Sequence, residues 1–316
     1  MPTVEANGLE LAYELSGDPT ASPLVLVMGL GMPLVFWPDA IVDGLVAGEF
    51  HVVRFDNRDC GHSEKFPRGP RPNLPLAIGR ALLRLKVRAP YTLGDMAQDV
   101  TGLLDALKIA RAHVVGVSMG GMIAQVLAAR FPERVTSITS IMASSGNPRV
   151  SLGKPAALRA LLRRPDPHDV EAVIKELVSL FGVIGSPGFA TDPALLRTMC
   201  ERVVLRGLYP AGTARQLLAI LAAGDRRGEL ARIRAPALVI HGAQDPLLPI
   251  AAGRDTARHI PGARMIEFAG MGHDLPPALT PQIVDAIVQH CRAAEARAGA
   301  GAGDAHRSLA TDASQV

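Results

Sequence analysis

Three side chains far apart along the chain have the types needed to pass a proton between a hydroxyl, an imidazole and a carboxylate: Ser118, His273 and Asp245. A serine hydroxyl is a weak nucleophile until a base takes its proton, and the base needs a carboxylate to hold its ring. Ser118 lies in "GVSMGG", Asp245 in "HGAQDPLLP" and His273 in "GMGHDLPP", so the chain order is serine, acid, histidine. Such a set attacks a carbonyl carbon and forms an acyl-enzyme, which makes a carboxylic ester the substrate to expect and calls for neither metal nor organic cofactor.

Gly116-Val117-Ser118-Met119-Gly120 fits G-x-S-x-G. Alone, that pattern also fits a glycine-rich turn with an incidental serine. What precedes and follows it decides between the two. "HVVGV" (113–117) reads as a buried strand and "MIAQVLAARF" (122–131) as a helix ending before Pro132, so Ser118 falls at a strand-to-helix corner. A corner that tight forces Ser118 into an unfavourable backbone region, and Gly116 and Gly120 remove the Cβ atoms that would collide. A phosphate-binding loop is excluded, since no Lys-Ser/Thr pair follows the glycines.

The elements around the corner alternate. Asn7-Gly8 closes a hairpin, and apolar runs follow at 24–29, 51–56, 113–117, 135–142, 237–242 and 264–268, most of them separated by helical stretches such as 93–109. That alternation predicts a mostly parallel sheet with helices on both faces. Asp245 and His273 then lie on loops leaving successive strands. Among the nine histidines, His51, His113 and His241 abut strands and read as structural. His168 and His259 read as surface residues, and His290 and His306 fall in the last helix and tail. His62 could line a pocket, but a turn role is preferred. Asp274 is too near His273 to orient its ring easily, and "MASSGN" after strand 135–142 carries no acid. Two backbone amides should receive the oxyanion: Met119, at the head of the helix, and Leu30, in "MGLGMP".

Two intervals break the alternation. Residues 146–232 are mostly helical and read as a cap above the carboxyl ends of the strands. Residues 64–92, rich in Pro and Arg, read as a lid segment or an edge of that cap. Arg80, Arg84 and Arg88 recur every four residues and would form one basic stripe on a helix, beside Leu82, Leu83 and Leu85. A solvated face is the preferred reading, with a lid meeting lipid or an acidic substrate as the rival. The core is expected at 1–145 and 233–294. The Ala/Gly-rich 295–316 read as a disordered tail. Trp37, Phe181 and Tyr209 are candidate pocket residues, although a single Trp so near a strand also fits packing.

Composition narrows the classes. With 316 residues, 48% hydrophobic and 20% charged, the chain can bury a sizeable core. A net charge of +3 and 4% aromatics give no nucleic-acid signal. Three dispersed cysteines suggest neither zinc nor a disulfide framework. The start lacks the pattern of a secretory signal and no run of apolar residues is long enough to span a bilayer, so a cytoplasmic protein without stable membrane insertion is expected. A homodimer is left open.

The blocks "MGLGMPLVFWPDAIVDGL", "RFDNRDCGHSE", "GVSMGGMIAQ", "HGAQDPLLP" and "GMGHDLPP" resemble those of the α/β-hydrolase superfamily. They are nearest its cap-bearing esterase branch, which includes the aclacinomycin methylesterases. The resemblance runs from about residue 3 to 292. It implies an eight-stranded sheet with one antiparallel strand near the start, a helical cap, Ser118 as nucleophile, Asp245 as acid, His273 as base, and Leu30 with Met119 as oxyanion donors. Two positions depart from many relatives: Met28-Gly29 stands where His-Gly is common, and Asp59 where glycine is, although the methylesterase-like branch also has Asp there. Neither touches the three side chains, but both bear on substrate. A lactonase, a carbon–carbon bond hydrolase or a cofactor-free perhydrolase would use the same set, and a non-catalytic ligand receptor is the rival outside enzymes.

Overall fold

Asn7 and Gly8 both take positive φ, 53° and 73°, which turns strand β1 (Thr3–Ala6) back onto β2 (Leu9–Ser16) in an antiparallel pair. Six further strands follow: β3 (Ser22–Val27), β4 (Phe50–Phe55), β5 (Ala112–Val117), β6 (Val135–Ile141), β7 (Ala237–Gly242) and β8 (Arg264–Phe268). The computed structural model describes residues 2–66, 73–163, 165–166 and 168–312. Among these the eight strands form one sheet in the order β1-β2-β4-β3-β5-β6-β7-β8. Only β2 runs against its neighbours, and the remaining pairs are parallel. Strands β5 and β7 are buried at every position, which explains why their sequences are apolar without alternation.

Helices α1 (Asp39–Ala47), α2 (Leu74–Leu82), α3 (Leu93–Ala106) and α4 (Met119–Arg130) precede β6. Between β6 and β7 come α5 (Pro155–Leu162), α6 (Val170–Ile184), α7 (Pro193–Leu205), α8 (Pro210–Ala223) and the short α9 (Arg227–Leu230). Helix α10 (Ile250–His259) joins β7 to β8, and α11 (Thr280–Asp312) follows. Leu93, Met96 and Val100 of α3 pack with Ile123 and Leu127 of α4 on one face of the sheet. Ile41 and Leu45 of α1 pack with Ile283 and Ile287 of α11 on the other. Local chemistry sets the ends: Thr92 and Asp95 form a reciprocal capping box on α3, and Asp192 caps α7 ahead of Pro193.

The strand order locates the site. From β3 the chain leaves towards β4, and from β5 it leaves the other way towards β6. The two connections diverge, so a crevice opens between the carboxyl ends of β3 and β5. Leu30 and Ser118 follow those two strands.

One expectation is corrected. The basic residues after Asn73 do not share a helix: α2 ends at Leu82, and Arg84 turns left-handed with φ 56°. The Leu85 amide then donates to the Arg80 carbonyl at 2.8 Å, closing a Schellman-type end before Arg88 is reached. Helix α11 runs on into residues 295–312. Residues 67–72 of the expected lid segment, 164 and 167 of the expected cap, and 313–316 of the tail lie outside the described residues.

Candidate active site

Ser118 stands between β5 and α4 with φ 54° and ψ −117°, a backbone state that costs about 1–3 kcal/mol in a non-glycine residue. Its neighbours hold it there. The Ser118 amide donates to the Ile141 carbonyl at 2.9 Å, and its carbonyl accepts from Met122. A Cβ at Gly116 would overlap the Gly120 carbonyl, and one at Gly120 would overlap the Val27 carbonyl. Both obstacles are main chain, so the glycines are what let strand, corner and helix approach so closely.

The other two side chains converge on this corner. His273 Nε2 lies 3.0 Å from Ser118 Oγ, and His273 Nδ1 lies 2.6 Å from Asp245 Oδ2. Asp245 is held from its other side. Its Oδ1 accepts the amides of Leu247 and Leu248, each at 2.8 Å. Both Asp245 and His273 are buried, where a charge-assisted hydrogen bond is strong. His241 approaches Asp245 Oδ2 at 3.6 Å, but its Nε2 donates to the Leu248 carbonyl at 2.7 Å. Burial holds its pKa below the usual imidazole range, so it remains a neutral support for the loop.

The histidine turn is pinned from a second direction that the sequence did not reveal. The His273 amide donates to the Ile184 carbonyl at 2.7 Å, and the Gly188 amide donates to the Gly270 carbonyl at 2.9 Å. Ser186 Oγ accepts the Gly272 amide at 2.9 Å and donates to Asp274 Oδ1. The end of α6 thus clamps residues 270–274. Burial raises the Asp274 carboxyl above its ordinary pKa, and the Ser186 hydrogen bonds oppose that rise. Asp274 therefore faces Ser186, and Asp245 is the acid on the His273 ring.

The Leu30 loop abuts the serine: a Cβ on Gly29 would lie 3.3 Å from Ser118 Cβ. Gln216 of α8 fixes that loop, accepting the Gly31 amide at 2.7 Å and donating to the Arg58 carbonyl at 2.8 Å. The amides of Leu30 and Met119 have no hydrogen-bond partner among the described residues. Behind the loop, Asp56 accepts the Leu34 amide and pairs with Arg206 of the α7 end. Asp59 pairs with Arg215 of α8 and accepts the Tyr91 hydroxyl. These buried carboxylates of "RFDNRDCGHSE" tie the sheet to α7 and α8. Nothing local marks Arg206, Arg215, Gln216 or Ser186 for these tasks, because each partner lies 86 or more residues away in the chain.

Ser118 and His273 open onto a cavity of about 1780 Å³ walled by the sheet loops, α2 and the α5–α8 segment. Trp37 and Phe181 line it, with Phe181 tilted against Phe36 at 4.8 Å between ring centres. Trp37 is fully buried, so it is both packing and wall. Tyr209 does not join them: it stands at the N-cap position of α8 with no side-chain capping bond, and its ring lies 5.3 Å from the Arg215 guanidinium carbon. A large polar aromatic in a segment of unknown docking gave no sign of which way it faced. His62 likewise serves a turn, its amide donating to Asp56 Oδ2. Among the described residues no three His, Cys, Asp or Glu side chains are grouped to hold a metal ion.

Residues 22–276 match the family model described as alpha/beta hydrolase fold. The chain is 31% identical to the rhodomycin D methylesterase DauP of Streptomyces sp. strain C5, over 93% of this chain and 99% of that one. It is 28% identical to 3-oxoadipate enol-lactonase 2 of Acinetobacter baylyi, over 82% and 84%. Among solved structures it resembles the enol-lactonase from Burkholderia xenovorans LB400, with a TM-score of 0.68, 30% identity and coverage of 92% and 99%.

Proposed function

The chain belongs to the α/β-hydrolase fold family and is a carboxylesterase-type hydrolase, and on that premise we propose that Ser118, His273 and Asp245 carry the reaction. His273 accepts the Ser118 proton as the hydroxyl attacks the ester carbonyl, and Asp245 stabilises the imidazolium that forms. The amides of Leu30 and Met119 receive the oxyanion. Collapse of the tetrahedral species breaks the bond to the alcohol, which leaves with the proton from His273. Water then enters, gives a proton to His273 and clears the acyl group from Ser118.

The observation that carries this reading is the unbroken line of hydrogen bonds from Asp245 through His273 to Ser118 at the wall of the cavity. The test is Ser118→Ala assayed on p-nitrophenyl butyrate, with fluorophosphonate labelling of both proteins. Turnover and labelling should vanish together. A variant that keeps near-normal turnover overturns the assignment.

Residues 146–232 serve as the cap, and the cavity beneath them favours a bulky, mostly apolar ester. Its volume of about 1780 Å³ exceeds the roughly 300–1,000 Å³ usual for small-molecule sites. Together with the likeness to a rhodomycin D methylesterase, this favours the methyl ester of a large polycyclic acid. The likeness to enol-lactonases supports a lactone as the second reading, since ring opening needs the same groups. A panel of polycyclic methyl esters, short acyl esters and enol-lactones ranks them by kcat/KM. The cytoplasm is the proposed compartment, because Cys60, Cys200 and Cys291 are all buried free thiols.

A further inference from the structure

The mouth of the cavity has a surface that ester hydrolysis does not require. Residues 73–94 and 144–163 contain no aspartate or glutamate. Both segments line the cavity, and both carry exposed basic side chains: Arg80, Arg84, Lys86 and Arg88 on the first, Arg149, Lys154, Arg159 and Arg163 on the second. Among the described residues, only Arg163 of these eight has a carboxylate partner, Glu176 at 3.6 Å. The two aspartates that line the cavity near other arginines are neutralised by them, Asp39 by Arg202 and Asp225 by Arg227.

Large apolar side chains protrude from the same segments. Leu82, Leu83 and Leu85 are 66%, 72% and 50% exposed, Leu76 is 59% and Leu152 is 62%. The end of α2 accounts for the first three. With Arg84 left-handed, the chain turns sharply there and presents Leu82, Leu83 and Leu85 to solvent with Arg84 and Lys86 beside them. Exposed leucines interspersed along the chain with basic side chains, seven of the eight without a carboxylate partner among the described residues, on two segments that line an apolar cavity are out of place on a surface that meets only water.

We propose that this rim is a docking surface for an anionic lipid bilayer, which it contacts peripherally so that apolar ester substrate passes from the lipid into the cavity. The two features point to the same occupant. Exposed leucines gain by entering the acyl boundary, and unpaired basic groups gain by meeting anionic headgroups. A nucleic acid would use the charges but leave the leucines in water. A second copy of the chain would bring two unpaired basic surfaces together. Among the described residues no helix is long and apolar enough to cross a membrane, so the contact is superficial. An anionic cytoplasmic leaflet is the surface that a cytoplasmic enzyme meets.

The test uses the full-length protein and flotation with vesicles of phosphatidylcholine alone or mixed equally with phosphatidylglycerol. The protein should float with the mixed vesicles, release them as salt rises, and ignore the neutral ones. Two double variants avoid the cavity wall. Arg88→Glu with Arg159→Glu should weaken binding by about 25-fold or more, at about fivefold for each basic group near an anionic surface. Leu76→Ser with Leu83→Ser should weaken it by about tenfold or more. Both should hydrolyse soluble p-nitrophenyl acetate at the unaltered rate, which shows that they fold. Vesicle binding is read without turnover, so it can fail while Ser118 chemistry stands, and the reverse. Equal binding to both vesicle types, binding to neither, unchanged affinity in either variant, or tighter binding to duplex DNA overturns the proposal. So does a lipid-independent dimer that both variants dissolve.

Discussion

Replacing Asp245 with asparagine tests the geometry more sharply than deleting it. Oδ1 of Asp245 accepts two main-chain amides, those of Leu247 and Leu248, while Oδ2 faces His273 Nδ1 at 2.6 Å. An asparagine has one oxygen. Placing its NH₂ against the two amides would lose both hydrogen bonds and set donor against donor, so the oxygen stays there and the NH₂ turns to His273. Nδ1 must then accept, which moves the ring proton to Nε2 and points it at Ser118 Oγ, 3.0 Å away. In that tautomer the imidazole cannot take the serine proton. Comparable tautomer inversions in Ser-His-Asp enzymes cost about 10⁴ in kcat, or about 5.4 kcal/mol at 1.36 kcal/mol per tenfold. The fold should hardly notice, because the hydrogen bonds are conserved in number and the shape is unchanged. Initial rates on p-nitrophenyl butyrate, with thermal unfolding alongside, give both quantities. A loss of less than about tenfold with an intact fold would refute the tautomer argument and return Asp274 to contention.

Other substitutions probe the supports. Gly120→Ala places a Cβ on the Val27 carbonyl, and since neither backbone can yield, we expect a loss of about 3 kcal/mol or more in chemical denaturation or failure to accumulate as folded protein. Ser186→Ala leaves the buried Gly272 amide without its acceptor. kcat should fall about tenfold through a misplaced imidazole while KM for a small ester holds, and Ser186→Thr, which keeps the hydroxyl, should restore it. His290 is 4% exposed and burial pushes its pKa down to about 4. The unfolded chain takes up a proton near pH 6.5 and the folded one does not, so this residue costs no stability above pH 6.5. Between pH 6.5 and 4 it should remove up to about 3 kcal/mol. The thermal midpoint of His290→Gln should accordingly fall less steeply over that range than that of the parent.

What could be read from the sequence was what depends on neighbours in the chain. The corner at Ser118 is announced by Gly116 and Gly120, and Asp245 and His273 each follow an apolar run that could only be a strand. Their order along the chain then stood in for three-dimensional proximity. Where the outcome depends on how the α5–α8 segment docks, no neighbour in the chain marks it. Tyr209 reads as a wall of the pocket, whereas its ring lies against Arg215 at the start of α8. Ser186 had no local mark, because its partners arrive from the turn 270–274. The fourfold spacing of Arg80, Arg84 and Arg88 implied a helix, and the left-handed turn at Arg84 broke it.

The pairs Asp56–Arg206 and Asp59–Arg215 also set terms for anyone who would re-engineer selectivity by grafting. Helices taken wholesale from a relative would strand two carboxylates inside the core unless the donor brought a guanidinium to each, a fault of about 3–5 kcal/mol apiece. A transplant that ends before Arg206 leaves both anchors with the host. Selectivity can therefore be rebuilt through α5 and the first turns of α6, while residues 184–188, which hold the His273 turn, α7's last residues and α8 stay native.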